Sequence, residues 1–134
     1  MRVLVVDDDI KQLELLRDAF RHFGVDVFLA HSVAEAERLY GEMSTSIGCV
    51  VTDVDLIPGG PTGLWFIEHV TIDLPALVVT GRGPDDPEVC RCIAARSAVT
   101  DCLGKPYSVM DIYRWYESVT SQPLRTPGEL LVAS

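Results

Sequence analysis

One short run constrains this chain more than any other: Cys49-Val50-Val51-Thr52, β-branched and apolar, stopping abruptly on Asp53. It is too short for a helix, and residues of this type suit a pleated, buried surface, so it predicts a buried strand. The stretch that follows, Val54 to Gly63, carries Pro58, Gly59, Gly60 and Pro61 and must open as a loop. Asp53 thus sits where a strand ends and a loop begins, the place where open α/β sheets bind their ligands. The pattern recurs. Val3-Leu4-Val5-Val6 stops at Asp7-Asp8-Asp9, Ala76-Leu77-Val78-Val79 stops at Thr80, and Thr100 to Gly104 stops at Lys105-Pro106. If these strands are parallel, all four polar groups meet at one edge of one sheet.

Between the strands the periodicity changes to that of helices. Ile10 to Phe23 places Leu13, Leu16, Phe20 and Phe23 three and four residues apart, an inward stripe, and Gly24 follows as a stop. Asp26 to Ala30 predicts the second strand. Ser32-Val33-Ala34-Glu35 has the form of a capping box, opening a helix to about Met43. Leu64 to about Val70 predicts a third helix and about Pro87 to Ala95 a fourth. Ser108 caps a fifth, whose apolar face is Ile112, Trp115, Tyr116 and Val119. Five βα units in succession predict an α/β fold: a doubly wound, five-stranded parallel sheet covered by five helices. For a chain of 134 residues the natural order is the flavodoxin-like 2-1-3-4-5, whose switch point lies between the first and third strands. That order sets Asp7–Asp9 beside Asp53. Residues 1–120 read as one domain, and 121–134, with Pro123, Pro127 and Gly128, as a C-terminal tail or linker stub.

Charge and cysteine usage narrow the function classes. Twenty acidic against 11 basic residues give a formal net charge of -9, which repels phosphate backbones and argues against direct nucleic-acid binding. No apolar run approaches membrane-spanning length, and the four residues after Arg2 are too few for a secretory signal, so a cytoplasmic location is expected. Cys49 and Cys102 fall in strands, Cys90 and Cys92 in a helix. Residues two apart on a helix point about 200° apart and cannot share one ion, so the Cys90-x-Cys92 pair reads as structural. His22, His31 and His69 have no ligand spacing.

Several carboxylates in one crevice repel each other unless a cation joins them or some are protonated. All-oxygen ligands with room for water suit Mg2+, which commonly joins a phosphate to a protein. Lys105 would then pair with a phosphoryl oxygen, and the Thr80 hydroxyl would donate to another. Around them Asp53 is placed as a nucleophile that forms an acyl phosphate. Each piece alone has a plainer reading: an Asp run caps a helix, an Asp after a strand makes a turn, and Lys-Pro is a common turn dipeptide. Their combination, each on its own strand end and in this order, is what points to chemistry.

In these residues the chain resembles the receiver domains of bacterial two-component response regulators. The resemblance rests on Asp7-Asp8 after Val-Val, Asp53 after the third strand, Thr80-Gly81 after the fourth and Lys105-Pro106 after the fifth, and it covers roughly residues 1 to 120. It implies phosphotransfer to Asp53 from a sensor histidine kinase or a histidine phosphotransfer protein. It also implies Mg2+ held by Asp8, Asp53 and the backbone carbonyl of Asp55, with Asp7 assisting. Thr80 and Lys105 would contact the phosphoryl group and relay its presence to the face formed by the fourth helix, fifth strand and fifth helix. The protein would then act as a signalling domain that phosphorylates and dephosphorylates only itself, changing partner binding or forming a homodimer.

The chain departs from the family pattern where output is concerned. Pro58 lies five residues after Asp53 rather than four, and Cys102 stands where the family usually carries an aromatic switch residue, three before the lysine. The segment from Thr80 to Lys105 is long and broken by Pro84 and Pro87. A thiol cannot fill the space of an aromatic ring, so the expected reporters are Thr80 and the Gly81–Pro87 loop, or dimerisation through the last helix. Two other readings compete: a phosphorylation-independent binding module with the same fold, and a small phosphatase using Asp53-Val54-Asp55. The second is disfavoured because that motif belongs near a first strand and needs more chain for a cap.

Overall fold

The structure is a computed structural model, and it describes residues 2–54, 62–71, 73–81, 85–95, 100–105 and 107–120. Ten elements alternate along the chain: β1 (Arg2–Val6), α1 (Ile10–His22), β2 (Val27–Ala30), α2 (Val33–Met43), β3 (Ile47–Asp53), α3 (Gly63–His69), β4 (Ala76–Thr80), α4 (Pro87–Ala95), β5 (Thr100–Gly104) and α5 (Val109–Thr120). The strands form one parallel sheet in the order β2-β1-β3-β4-β5, as the alternation predicts.

Strand alternation splits the core into two layers. Leu4, Val6, Val50 and Val78 face one side with Val33 and Ala36 of α2, Leu64, Phe66 and Ile67 of α3, and Val89 of α4. Val3, Val5, Val51 and Val79 face the other with Leu13, Leu16 and Phe20 of α1 and Ile112, Trp115 and Tyr116 of α5. Because the side-chain period of a strand is two, consecutive residues of β1, β3 and β4 serve opposite layers, which explains the unbroken apolar runs Val3–Val6, Cys49–Val51 and Ala76–Val79. Each fully buried Val or Leu contributes about 1.5–3 kcal/mol relative to exposure.

Local chemistry sets the helix ends. The Asp9 carboxylate caps α1, its Oδ1 accepting from Lys11 N at 2.9 Å and Gln12 N at 3.4 Å. Gly24 takes φ 80 beyond the helix, a left-handed turn that residues with a Cβ rarely adopt. Ser32 Oγ accepts from Glu35 N at 3.1 Å, one half of the expected capping box; the Glu35 carboxylate instead pairs with His31 Nδ1 at 2.8 Å. Several bounds differ from the sequence reading by a residue or two, and two of them have a tertiary cause. β3 begins at Ile47 rather than Cys49, because Ile47 pairs with Arg2 and is buried although Gly48 interrupts the apolar run. α1 ends at His22, and Phe23 leaves the helix to stack on Tyr113 of α5 with centroids 4.1 Å apart.

Candidate acidic phosphoacceptor site

Strand register brings the polar groups to one edge. Val6 pairs with Thr52, so Asp7 and Asp53 leave adjacent strands at the same level. Asp53 in turn pairs with Val79 and Thr80 with Gly104, which sets the start of the next loop, Lys105, beside them. The Lys105 amide donates to the Thr80 carbonyl at 2.9 Å, tying that loop to the end of β4.

Asp7, Asp8 and Asp53 each offer a carboxylate oxygen, and these lie within 4.8 Å of one another. Asp7 and Asp53 are buried, 4% and 7% exposed, whereas Asp8 faces solvent. Lys105 Nζ donates to Asp53 Oδ2 at 2.8 Å. Lys105 against three carboxylates leaves this cluster with surplus negative charge, and burial adds to the cost of that charge. Burial pushes the Asp7 carboxyl up to about 6, Asp53 and Asp8 adding to the effect, while the Asp9 amide at 2.9 Å and the Lys105 charge oppose it. Burial alone would lower the Lys105 ammonium; its hydrogen bond to Asp53 and the charges of Asp53, Asp7 and Asp8 outweigh that and raise it.

Such a donor set fits a hard divalent cation. Its ligands are all oxygens, one is open to solvent, and the carboxylates gain from a positive charge among them. Of the residues singled out in the sequence, Asp7, Asp8, Asp53 and Lys105 are together. Thr80 lies fully buried at the carboxyl end of β4 with its carbonyl on Lys105. Asp55, Pro58 and most of the loop before Thr62 lie outside the described residues, as do residues 82–84 of the loop after β4 and the tail 121–134.

A further side chain belongs to this crevice and is not evident from the sequence. Tyr107, two residues beyond Lys105, donates from its hydroxyl to Gln12 Oε1 of α1 at 2.9 Å. Burial pushes its phenol up to about 12, with the charges of Asp7, Asp53 and Asp9 contributing. Proximity to Lys105 in the chain is the one available signal; the partner, 95 residues away, carries none. Gly63 has no role assigned from the sequence either, yet it allows α3 to start against the site: a Cβ there would overlap the Asp53 carbonyl oxygen and Thr52 Oγ1.

No protein-family model matches the chain. Among curated proteins it is 33% identical over 108 residues to nodulation protein W of Bradyrhizobium diazoefficiens, a match covering 78% of this chain and 44% of that protein. It is 32% identical over 109 residues to a transcriptional regulatory protein CpxR homolog of Haemophilus influenzae, covering 80% of this chain and 44% of the relative. The chain thus spans less than half the length of these relatives. Among solved structures, a response regulator receiver protein from Pseudomonas putida superposes with TM-score 0.72 at 29% identity, covering 88% of this chain and 98% of that one. A strand order of 2-1-3-4-5, an acidic cluster at the carboxyl edge and these relatives agree: the chain belongs to the response-regulator receiver domains of two-component systems.

Proposed function

We propose that Asp53 accepts a phosphoryl group from a sensor histidine kinase or a histidine phosphotransfer protein, and that the acyl phosphate changes the association of the domain with a partner or a second copy of itself. The observation that carries this reading is the position of the Asp53 carboxylate, at a strand end, among two further carboxylates and against the Lys105 ammonium. In the transfer, an Asp53 oxygen forms a bond to phosphorus as the P–N bond of the phosphohistidine breaks, and the imidazole leaves with the electron pair of that bond. Water later attacks the acyl phosphate and returns the carboxylate and inorganic phosphate.

Asp7, Asp8 and Asp53 would hold Mg2+, with Asp55 contributing its backbone carbonyl. Bound there, the ion would neutralise charge developing on the phosphoryl oxygens. Lys105 holds positive charge beside Asp53 at every physiological pH and would shift from the carboxylate to a phosphoryl oxygen. The Thr80 hydroxyl would donate to another such oxygen. The reading treats residues 1–120 as the functional unit, places it in the cytoplasm and gives it neither nucleic acid nor membrane as direct partner; among the described residues no helix is long and apolar enough to cross a membrane.

Intact mass after incubation with acetyl phosphate and Mg2+ tests it. The wild type should gain one phosphoryl group, and Asp53→Asn none, with its fold retained because the amide keeps the size and removes one repelling charge. Labelling that persists in Asp53→Asn, or that proceeds equally well in chelator, would show that the acceptor or the cation is misassigned. A phosphorylation-independent binding module would instead show partner binding unchanged by Asp53→Asn.

A further inference from the structure

The rim of the acidic crevice is closed by side chains from opposite ends of the chain. On one side the Asp9 amide donates to Asp7 Oδ1, and the Asp9 carboxylate caps the first turn of α1, which carries Gln12. On the other side Lys105 is held twice, through its amide on Thr80 and its ammonium on Asp53. Tyr107 joins the two, its hydroxyl on Gln12 Oε1 at 2.9 Å. Its ring is half-buried against the same apolar layer as Leu13 and Leu16 of α1 and Ile112 of α5. Farther along the helices, Phe23 stacks on Tyr113, and Phe20 meets Tyr116 edge-on at 5.6 Å. The α1–α5 seam therefore has aromatic packing toward one end and the Tyr107–Gln12 hydrogen bond at the end beside the site.

We propose that Tyr107 is a positioning residue: through its hydrogen bond to Gln12 it holds the loop between β5 and α5 against α1 and so fixes Lys105 over Asp53. This inference rests on Asp53 being the phosphoacceptor. The phenol itself exchanges no proton in the reaction, because the crevice keeps it protonated far above physiological pH and its hydrogen is committed to a neutral amide. What it controls is freedom. Lys105 is half-exposed on a long side chain, and a lysine that samples several positions stabilises a phosphoryl group less well than one held in place. With the bond intact the loop is closed toward α1. With the bond broken Tyr107 keeps its ring packing but loses its tie to α1.

Two variants remove the bond while keeping volume: Tyr107→Phe and Gln12→Met. Phosphorylation by acetyl phosphate should slow about three- to tenfold in each, the worth of one partly buried hydrogen bond. The double variant should be no slower than either single one, since the second substitution removes a bond already lost. Loss of Lys105 positioning should appear in the rate at saturating donor rather than in the donor concentration at half-saturation. Amide hydrogen exchange gives a readout without phosphorylation: in Tyr107→Phe the Lys105 amide should exchange about tenfold faster. Additive effects of the two substitutions, or wild-type rates and exchange in Tyr107→Phe, would overturn the inference while Asp53 labelling still stands. Absence of label on the wild type would overturn the phosphoacceptor reading, and with it this inference.

Discussion

At the scale of single residues, Asp7 records the electrostatic cost of the site. Its folded pKa of about 6 lies above the ordinary 3.8, so the folded protein binds this proton more tightly than the unfolded chain does. Stability must then fall as pH rises from about 4 to about 6, the reverse of the behaviour of a salt-bridged carboxylate. With chelator present, this group should cost on the order of 1 kcal/mol by pH 7, allowing for solvent screening at the open side of the crevice. Urea midpoints from pH 4 to 7 should show that slope in the wild type and not in Asp7→Asn; parallel slopes would remove Asp7 as the source. Lys105 shifts in the same direction but contributes stability in its charged form. Its pKa is raised, so its contribution is complete below the ordinary 10.5 and is lost only in strong alkali. Lys105→Ala should accordingly retain some labelling across neutral pH while weakening the response to it, measured as phosphorylation-dependent association.

Among the elements, α3 shows how closely the sheet edge is covered. The Gly63 amide donates to the Val54 carbonyl at 3.0 Å, and a methyl group in place of its hydrogen has no room beside Asp53 and Thr52. Gly63→Ala should cost about 1–3 kcal/mol in urea unfolding and slow labelling as well, because the strain falls on the backbone of Asp53. An unchanged midpoint would mean that α3 shifts freely. β5 carries the question of output. Cys102 is half-buried against the layer that contains Val89 of α4, and it pairs across the sheet with Val78. A thiol there packs but offers no ring to move between the crevice and the surface. Phosphorylation-dependent association should therefore survive Cys102→Ala and be lost in Thr80→Ala, as followed by sedimentation with and without acetyl phosphate. The opposite pattern would assign the relay to β5.

For the whole molecule, a net charge of -9 and a crevice of three carboxylates predict that divalent cations should stabilise the fold. At a free Mg2+ concentration about ten times Kd the gain is about 1.4 kcal/mol, a few degrees in Tm for a domain of this size. The rise should vanish in Asp53→Asn combined with Asp7→Asn; a rise that remains would place the cation elsewhere. Truncation after Thr120 should leave both Tm and labelling of Asp53 as in the full chain, which tests residues 1–120 as the functional unit.

Pattern and order are legible in the amino-acid sequence because they are local. Apolar runs of β-branched residues, Gly24, Ser32 and the stripe Leu13–Leu16–Phe20 each act within a few positions, and strand–helix alternation leaves few ways to cover a parallel sheet. That is also why Asp7, Asp8, Asp53, Thr80 and Lys105 can be gathered at one edge from their positions at strand ends. Tertiary structure decides what depends on partners remote in sequence. Ile47 joins β3 because Arg2 lies beside it, Phe23 leaves its stripe because Tyr113 offers a ring, and Glu35 turns from its cap to His31. The burial that lifts Asp7 and the bond from Tyr107 to Gln12 belong to the same class. Local propensity selects an element, but a side chain's protonation and its hydrogen-bond partner are set by whatever the fold packs against it, and those neighbours are unrelated to distance along the chain.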